Sequence, residues 1–95
     1  MSLFKPENFG KPLNVELSNY LNSYIGKNEY ANVSEKTGVS ISTIKFVVLR
    51  VNTLTENNSV AIIELMKIAV EKCNTSMQNA KEAKKFLEKN LLIEA

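Results

Sequence analysis

The sequence contains no histidine, no aspartate and no tryptophan, and its only cysteine is Cys73. Each absence removes a class of chemistry. Without imidazole, neither a Ser-His-Asp nor a Cys-His catalytic arrangement can be assembled. Zinc sites draw on clusters of Cys and His, so no metal is expected. One cysteine cannot close a disulfide within the chain. Glu64 and Glu71 show no paired acid–base spacing, so no catalytic residue and no cofactor is expected. The chemistry left to the chain is binding.

Proline and glycine are also scarce. From Leu13 onward there is no proline, and the only glycines are Gly26 and Gly38. Helix breakers are thus nearly absent, which permits long helices. Long apolar runs are missing too: Phe46-Val47-Val48-Leu49 and Val60-Ala61-Ile62-Ile63 are the longest, whereas a membrane span needs about 20 apolar residues. The expectation is a soluble, cytoplasmic chain with no membrane partner. Nor is there a charge excess of one sign. Twelve Lys and Arg stand against ten Glu, for a net charge of +2. Nucleic-acid binders usually carry a basic patch, and here it would have to come from arrangement.

What is present is ordinary globular composition, with 95 residues of which 44% are apolar. That length makes one domain, near the lower limit for a self-sufficient core. The apolar spacing is helical. Leu13, Leu17, Leu21 and Ile25 recur every four residues, which predicts a helix capped by Asn14 and ended near Gly26. A second helix is expected from an Asn28 cap, with Tyr30, Val33 and Thr37 on one face and Gly38 as its stop. A third opens at Ser40, with Ile41, Ile44, Val47, Val48 and Val51 as its apolar side. Its β-branched residues make a strand a rival over 44–51, but the spacing of 41, 44, 48 and 51 fits a helix better. Asn52 to Asn58 read as a turn, and Ser59 as the cap of a fourth helix carrying Ile62, Ile63, Met66, Ala69, Val70 and Cys73. The segment Thr75-Ser76-Met77-Gln78 resembles a capping box. It predicts a break at Asn74 and a fifth helix with Ala80, Ala83, Leu87 and Leu91 on one face. The expected fold is an all-α bundle of about five helices in one domain, 1–95, with C-terminal helices over 59–92.

The informative stretch is YANVSEKTGVSISTIKFVVLRV, residues 30–51. Two short helices meet at Gly38, a residue free to adopt backbone conformations closed to most others. Val33, Val39, Ile44 and Val47 can lock the pair, and the small Ser34 suits a close approach. The second helix is then left projecting, as in a helix-turn-helix that offers it to the major groove. The stretch resembles the helix-turn-helix, here 29–51, of phage Cro and CI-type repressors in the lambda-repressor-like superfamily. The segment Val39-Ser40-Ile41-Ser42-Thr43-Ile44 also resembles the start of the recognition helix in Lac-repressor-type proteins. The likeness is tight over residues 30–49, about a fifth of the chain, and loose over 13–73. Ser34, Ile44 and Val47 occupy the family's small and aliphatic positions around the turn glycine, although alanine is commoner at the first.

The resemblance implies a bacterial or prophage transcriptional regulator that binds operator DNA, a double-stranded partner, through the helix 40–51. It implies that Ser40 holds a phosphate at the helix N-terminus and that Ser42, Thr43, Lys45 and Phe46 face the groove. It places Arg50 and Asn52, with Thr53 and Asn57, near the backbone, and Lys27, Asn28 and Tyr30 beside phosphate at the start of the preceding helix. The sequence departs from the family at Tyr30, Ile41 and Phe46, where such repressors often carry Gln or Arg. Ile41 and Phe46 suit thymine methyls or another protein chain equally, and Phe46 also suits a core. An alternative reading is therefore a protein-interaction module without DNA binding. The stripe Ala80, Ala83, Leu87, Leu91 either packs within the chain or forms a homodimer contact. A dimer would hold two recognition helices about 34 Å apart, one turn of DNA.

Overall fold

The computed structural model describes residues 4–94, and the side chains of residues 4–90. Among the described residues the chain is all α, with no strand. A 3-10 turn, Pro6–Asn8, precedes α1 (Val15–Tyr24), α2 (Lys27–Thr37), α3 (Ile41–Val48) and α4 (Glu56–Glu94). Among the described residues no helix is long and apolar enough to cross a membrane.

The first three helices begin and end where local chemistry dictates. Asn14 caps α1, its side-chain oxygen accepting from the Leu17 N–H at 3.2 Å. The α1 chain leaves its helix at Ile25, and α2 starts at once from Gly26. Asn28, expected as the α2 cap, instead lies inside the helix. Glu29 does the capping, its carboxylate accepting from the Gly26 N–H at 2.8 Å. Gly38, at φ +80°, closes α2 in the left-handed region. Ser40 then caps α3, accepting from the Thr43 N–H at 3.2 Å.

The third helix is shorter than the expected 40–51. Its end is a Schellman motif: Val51 N–H donates to the Phe46 carbonyl at 2.9 Å and Arg50 N–H to the Val47 carbonyl at 3.1 Å. Arg50 fills the left-handed position, φ +65°, that glycine usually takes. Its Nε donates to the Leu13 carbonyl at 2.6 Å, which holds the turn against the start of α1. The N-terminal segment is tied to the same place, since Gly10 N–H donates to the Leu54 carbonyl and Leu54 N–H to that of Lys11.

Two expectations about the C-terminal half are corrected. The fourth helix begins at Glu56, not after Ser59. Thr55 and Asn58 form a reciprocal box, Thr55 N–H donating to Asn58 Oδ1 at 2.8 Å and Asn58 N–H to Thr55 Oγ1 at 3.2 Å. Asn58 thus does the work usually given to Glu or Gln. The break at Asn74 is also absent, and the two expected C-terminal helices are one helix of 39 residues. Asn, Thr and Ser cost only some tenths of a kcal/mol each inside a helix, and nothing here is Gly or Pro. Gln78 does not reach back to a cap; its Nε2 donates forward to Glu82 Oε1 at 3.1 Å.

The core gathers the first three helices around the start of α4. Leu13, Leu21, Ile25, Tyr30, Val33, Ile44, Val47, Val48 and Leu54 pack with Ala61, Ile62 and Leu65. Burying each large aliphatic side chain contributes about 1.5–3 kcal/mol. Ser18 Oγ crosses this core to donate to the Val48 carbonyl, joining α1 to α3. Three lysines add surface ties. Lys36 meets Glu64 at 2.8 Å and Lys67 meets the same carboxylate at 3.2 Å. Lys72 donates to the Tyr24 carbonyl at 2.6 Å and also pairs with Glu29, so one side chain gathers α1, α2 and α4. These neighbours hold both carboxyls below the ordinary glutamate value: Glu29 through Lys72 and then Gly26 N–H, Glu64 through Lys36 and then Lys67.

Past Cys73 the helix leaves the body. Every residue from 74 to 90 is exposed. The molecule measures 60 × 26 × 25 Å, and its long axis matches the length of about 58 Å that 39 helical residues require. Ala80, Ala83 and Leu87 therefore pack on no other part of the described chain. The side chain of Leu91 lies outside the described residues.

Candidate nucleic-acid interface

The surface of α3 divides cleanly. Ile44, Val47 and Val48 are completely buried and fix the helix to the body. Ile41, Ser42, Lys45, Phe46 and Leu49 are all exposed. At 100° per residue those five fall within one contiguous arc of the helix or its cap. Ile41 is 44% exposed and Phe46 45%, so Phe46 is not a core residue. Leu49 adds a third large apolar side chain to this face. The sequence reading missed it because the 3.6-residue count for the buried side offered no reason to single it out.

The N-terminus of α3 is already capped. Ser40 Oγ accepts the Thr43 N–H and donates to Thr43 Oγ1 at 2.8 Å. Thr43 is half-buried and committed to this pair, so both hydroxyls serve the turn first. The Ile41 and Ser42 N–H groups precede the first intrahelical bond, which Ile44 N–H makes to the Ser40 carbonyl at 3.0 Å. They carry the positive end of the helix dipole.

Lys45 lies against α2. Its Nζ sits 5.9 Å from the centre of the Tyr30 ring, a separation at which a cation and an aromatic face attract. Tyr30 is only 6% exposed, and burial pushes its hydroxyl above the ordinary phenol value. It packs in the core and lies under Lys45. A shallow cleft between the start of α2 and α3 brings together Lys27, Tyr30, Ile41 and Lys45, with Ile25 and Ala31, and no carboxylate lines it. Among the described residues neither Lys27 nor Lys45 has an ion-pair partner. Asn28 is exposed next to Lys27 on the first turn of α2.

Arg50 and Asn52 stand at the other end of α3. Arg50 is occupied by the Leu13 carbonyl and by its left-handed turn. Asn52 is exposed, its N–H donating to the Phe46 carbonyl at 3.0 Å. Of the ten residues singled out in the sequence, Lys27, Asn28, Ser42, Lys45, Phe46 and Asn52 are thus exposed around α3. Tyr30, Ser40, Thr43 and Arg50 are used to build the unit that carries them.

No protein-family model, no curated protein and no solved structure matches the chain.

Proposed function

We propose that the chain is a DNA-binding protein that presents the outer face of α3 to the major groove of double-stranded DNA, acting as a transcriptional regulator of the bacterial or prophage type. One observation carries the reading: α3 is anchored by a wholly buried face while its opposite face, with Ser42 and Lys45, stands free beside Lys27, which has no ion-pair partner among the described residues. Lysines with no carboxylate beside them are the charges that a phosphate backbone can recruit without breaking an existing pair. Ser42 and Lys45 have the reach and donors for base edges, and Ile41 and Phe46 suit thymine methyl groups. Lys27, Asn28 and Asn52 flank the helix as backbone contacts. With a net charge of only +2, one copy offers few phosphate contacts, so the reading includes a homodimer through the C-terminal part of α4. The compartment that goes with it is the cytoplasm.

The test is fluorescence anisotropy of a labelled duplex of random sequence, titrated at several salt concentrations. Affinity at low salt that falls steeply with salt is expected, at about 0.9 log units per neutralised phosphate. Lys27→Ala, which removes a backbone contact, is expected to reduce the slope by about one for each bound chain. Absence of affinity at low salt overturns the proposal.

A second reading rests on the three exposed apolar residues of α3. Ile41, Phe46 and Leu49 form a surface that also suits a protein partner, as buried cores of interfaces are apolar and poor in charge. In that case duplex DNA has no effect, and Phe46→Ser removes binding to the partner without altering the fold.

A further inference from the structure

An apolar repeat runs along α4 from its packed half into its exposed half. From Ile63 onward, residues 63, 70, 77 and 84 alternate at three- and four-residue steps with 66, 73, 80 and 87. The residues are Ile63, Met66, Val70, Cys73, Met77, Ala80, Lys84 and Leu87. Seven of these eight are apolar, which is the a/d seam of a coiled coil. Ala61, Ile62 and Leu65 point into the core and Met66 packs against it, so the first half of the seam runs along the edge of the body and the second half leaves it. Val70 is 59% exposed, Met77 71% and Leu87 60%. Beside the seam, Leu17, Tyr20 and Tyr24 of α1 face Met66, Val70 and Cys73 of α4 across an apolar groove. The bare half of the helix therefore has a seam without a groove, and the packed half a seam with one.

We propose that a second copy of this chain docks on α4 in antiparallel orientation, its bare helical half lying in the groove between α1 and α4 of the first. The layers are Val70 against the other copy's Leu87, Met77 against its Ala80, and Cys73 against its Lys84. This deepens the homodimer named above and does not depend on DNA binding.

Charge selects both the orientation and the register. In a parallel pair the two Lys84 side chains would meet in the seam, and like charges placed together repel. Antiparallel packing sets each Lys84 opposite Cys73 instead. Residues 67, 74, 81 and 88 flank the seam, and in an antiparallel pair they face one another. In the proposed register Lys67 meets Glu88, and Asn74 meets Lys81. A shift of one heptad either way sets Lys67 against Lys81, or Lys81 against itself. Lys67 and Glu88 are well exposed, at 64% and 61% of their side chains, so each can turn to the other copy from its partner within the chain, Glu64 at 3.2 Å and Lys84 at 3.8 Å. The two bodies then lie at opposite ends, with their α3 helices on the order of 50 Å apart along the dimer axis. That differs from the 34 Å expected for two recognition helices one DNA turn apart.

Sedimentation equilibrium of the full chain, at micromolar to hundreds of micromolar concentration, first establishes the dimer. Asn90→Cys in a Cys73→Ala background, carrying a nitroxide, then reports the orientation by pulsed electron spin resonance. An antiparallel pair gives a label separation of about 35 Å, from the helical rise. A separation under about 20 Å shows a parallel pair and overturns the proposal while leaving a dimer. A monomer throughout overturns both. Leu87→Glu should abolish association without changing the thermal transition of the body. Lys67→Glu should weaken it roughly 5- to 10-fold, through two symmetric surface pairs. Adding Glu88→Lys should restore it. Failure of that rescue overturns the register.

Discussion

The two halves of α4 are made of one continuous helix, yet different forces hold them. Residues 56–73 are helical because a core requires it: Ala61, Ile62 and Leu65 are wholly buried, and Lys67 and Lys72 are tied at its surface. Residues 74–90 touch no core and are exposed throughout. Their helix rests on residue preference, on the absence of Gly and Pro, and on local links such as Gln78 to Glu82 and Lys84 to Glu88 at 3.8 Å. Such links contribute about 0.2–0.5 kcal/mol each, and isolated helices of this length are marginal in water. The contrast separates the part of α4 that folds the domain from the part that the domain leaves bare.

Core truncation gives the largest contrast. Leu65→Ala should cost about 3 kcal/mol, as full burial and a residual cavity dictate. Leu87→Ala should change the stability of the monomer by less than about 0.5 kcal/mol. Urea denaturation at concentrations below association checks both, and equal losses would erase the distinction between the halves. A proline is the next instrument. Asn79→Pro costs about 3 kcal/mol of helix locally, so it should remove helical signal in circular dichroism while the body melts as before. A lowered body transition would show that the far half contributes to the fold.

Acid provides the smallest effect and the sharpest localisation. Glu29 and Glu64 are held below the ordinary value of 4.5 by Lys72 and Lys36. A carboxyl depressed in the folded state stabilises it above the unfolded value. That contribution is lost as pH falls through the lower, folded value. Stability should therefore be level from neutrality to about pH 5 and decline below about 4.5. Glu29→Gln with Glu64→Gln should flatten the decline, as read from urea midpoints at each pH. Both carboxyls join α2 to the packed half, so the same acidification should leave amide exchange in residues 77–90 unchanged.

Much of this architecture was legible in the residues. The four-residue spacing of Leu13, Leu17, Leu21 and Ile25 placed α1, and Val33, Ile44 and Val47 with Gly38 placed the α2–α3 unit. The caps at Asn14 and Ser40 follow directly from short polar side chains before apolar runs. The start of α4 escaped because Asn58 replaces the Glu or Gln of a usual box. The expected break at Asn74 failed because Thr75-Ser76-Met77-Gln78 imitates a helix start that nothing in the packing enforces. Around α3, exposure of Lys45 and Phe46 follows from the buried period of Ile44, Val47 and Val48. The burial of Tyr30 follows from the face it shares with Val33, whereas the left-handed turn at Arg50 is held by the Leu13 carbonyl, distant in sequence, and no local pattern announces it.

If the free face of α3 meets DNA, as we propose, its amides respond to a duplex. Nuclear magnetic resonance of nitrogen-15-labelled protein, titrated with a random 20-base-pair duplex at low salt, tests it most directly. The amides of Lys27, Asn28 and residues 40–46 are expected to shift progressively, with Asn52 following and residues 77–90 unmoved by direct contact. An unchanged spectrum, or shifts confined to the bare half of α4, would contradict it.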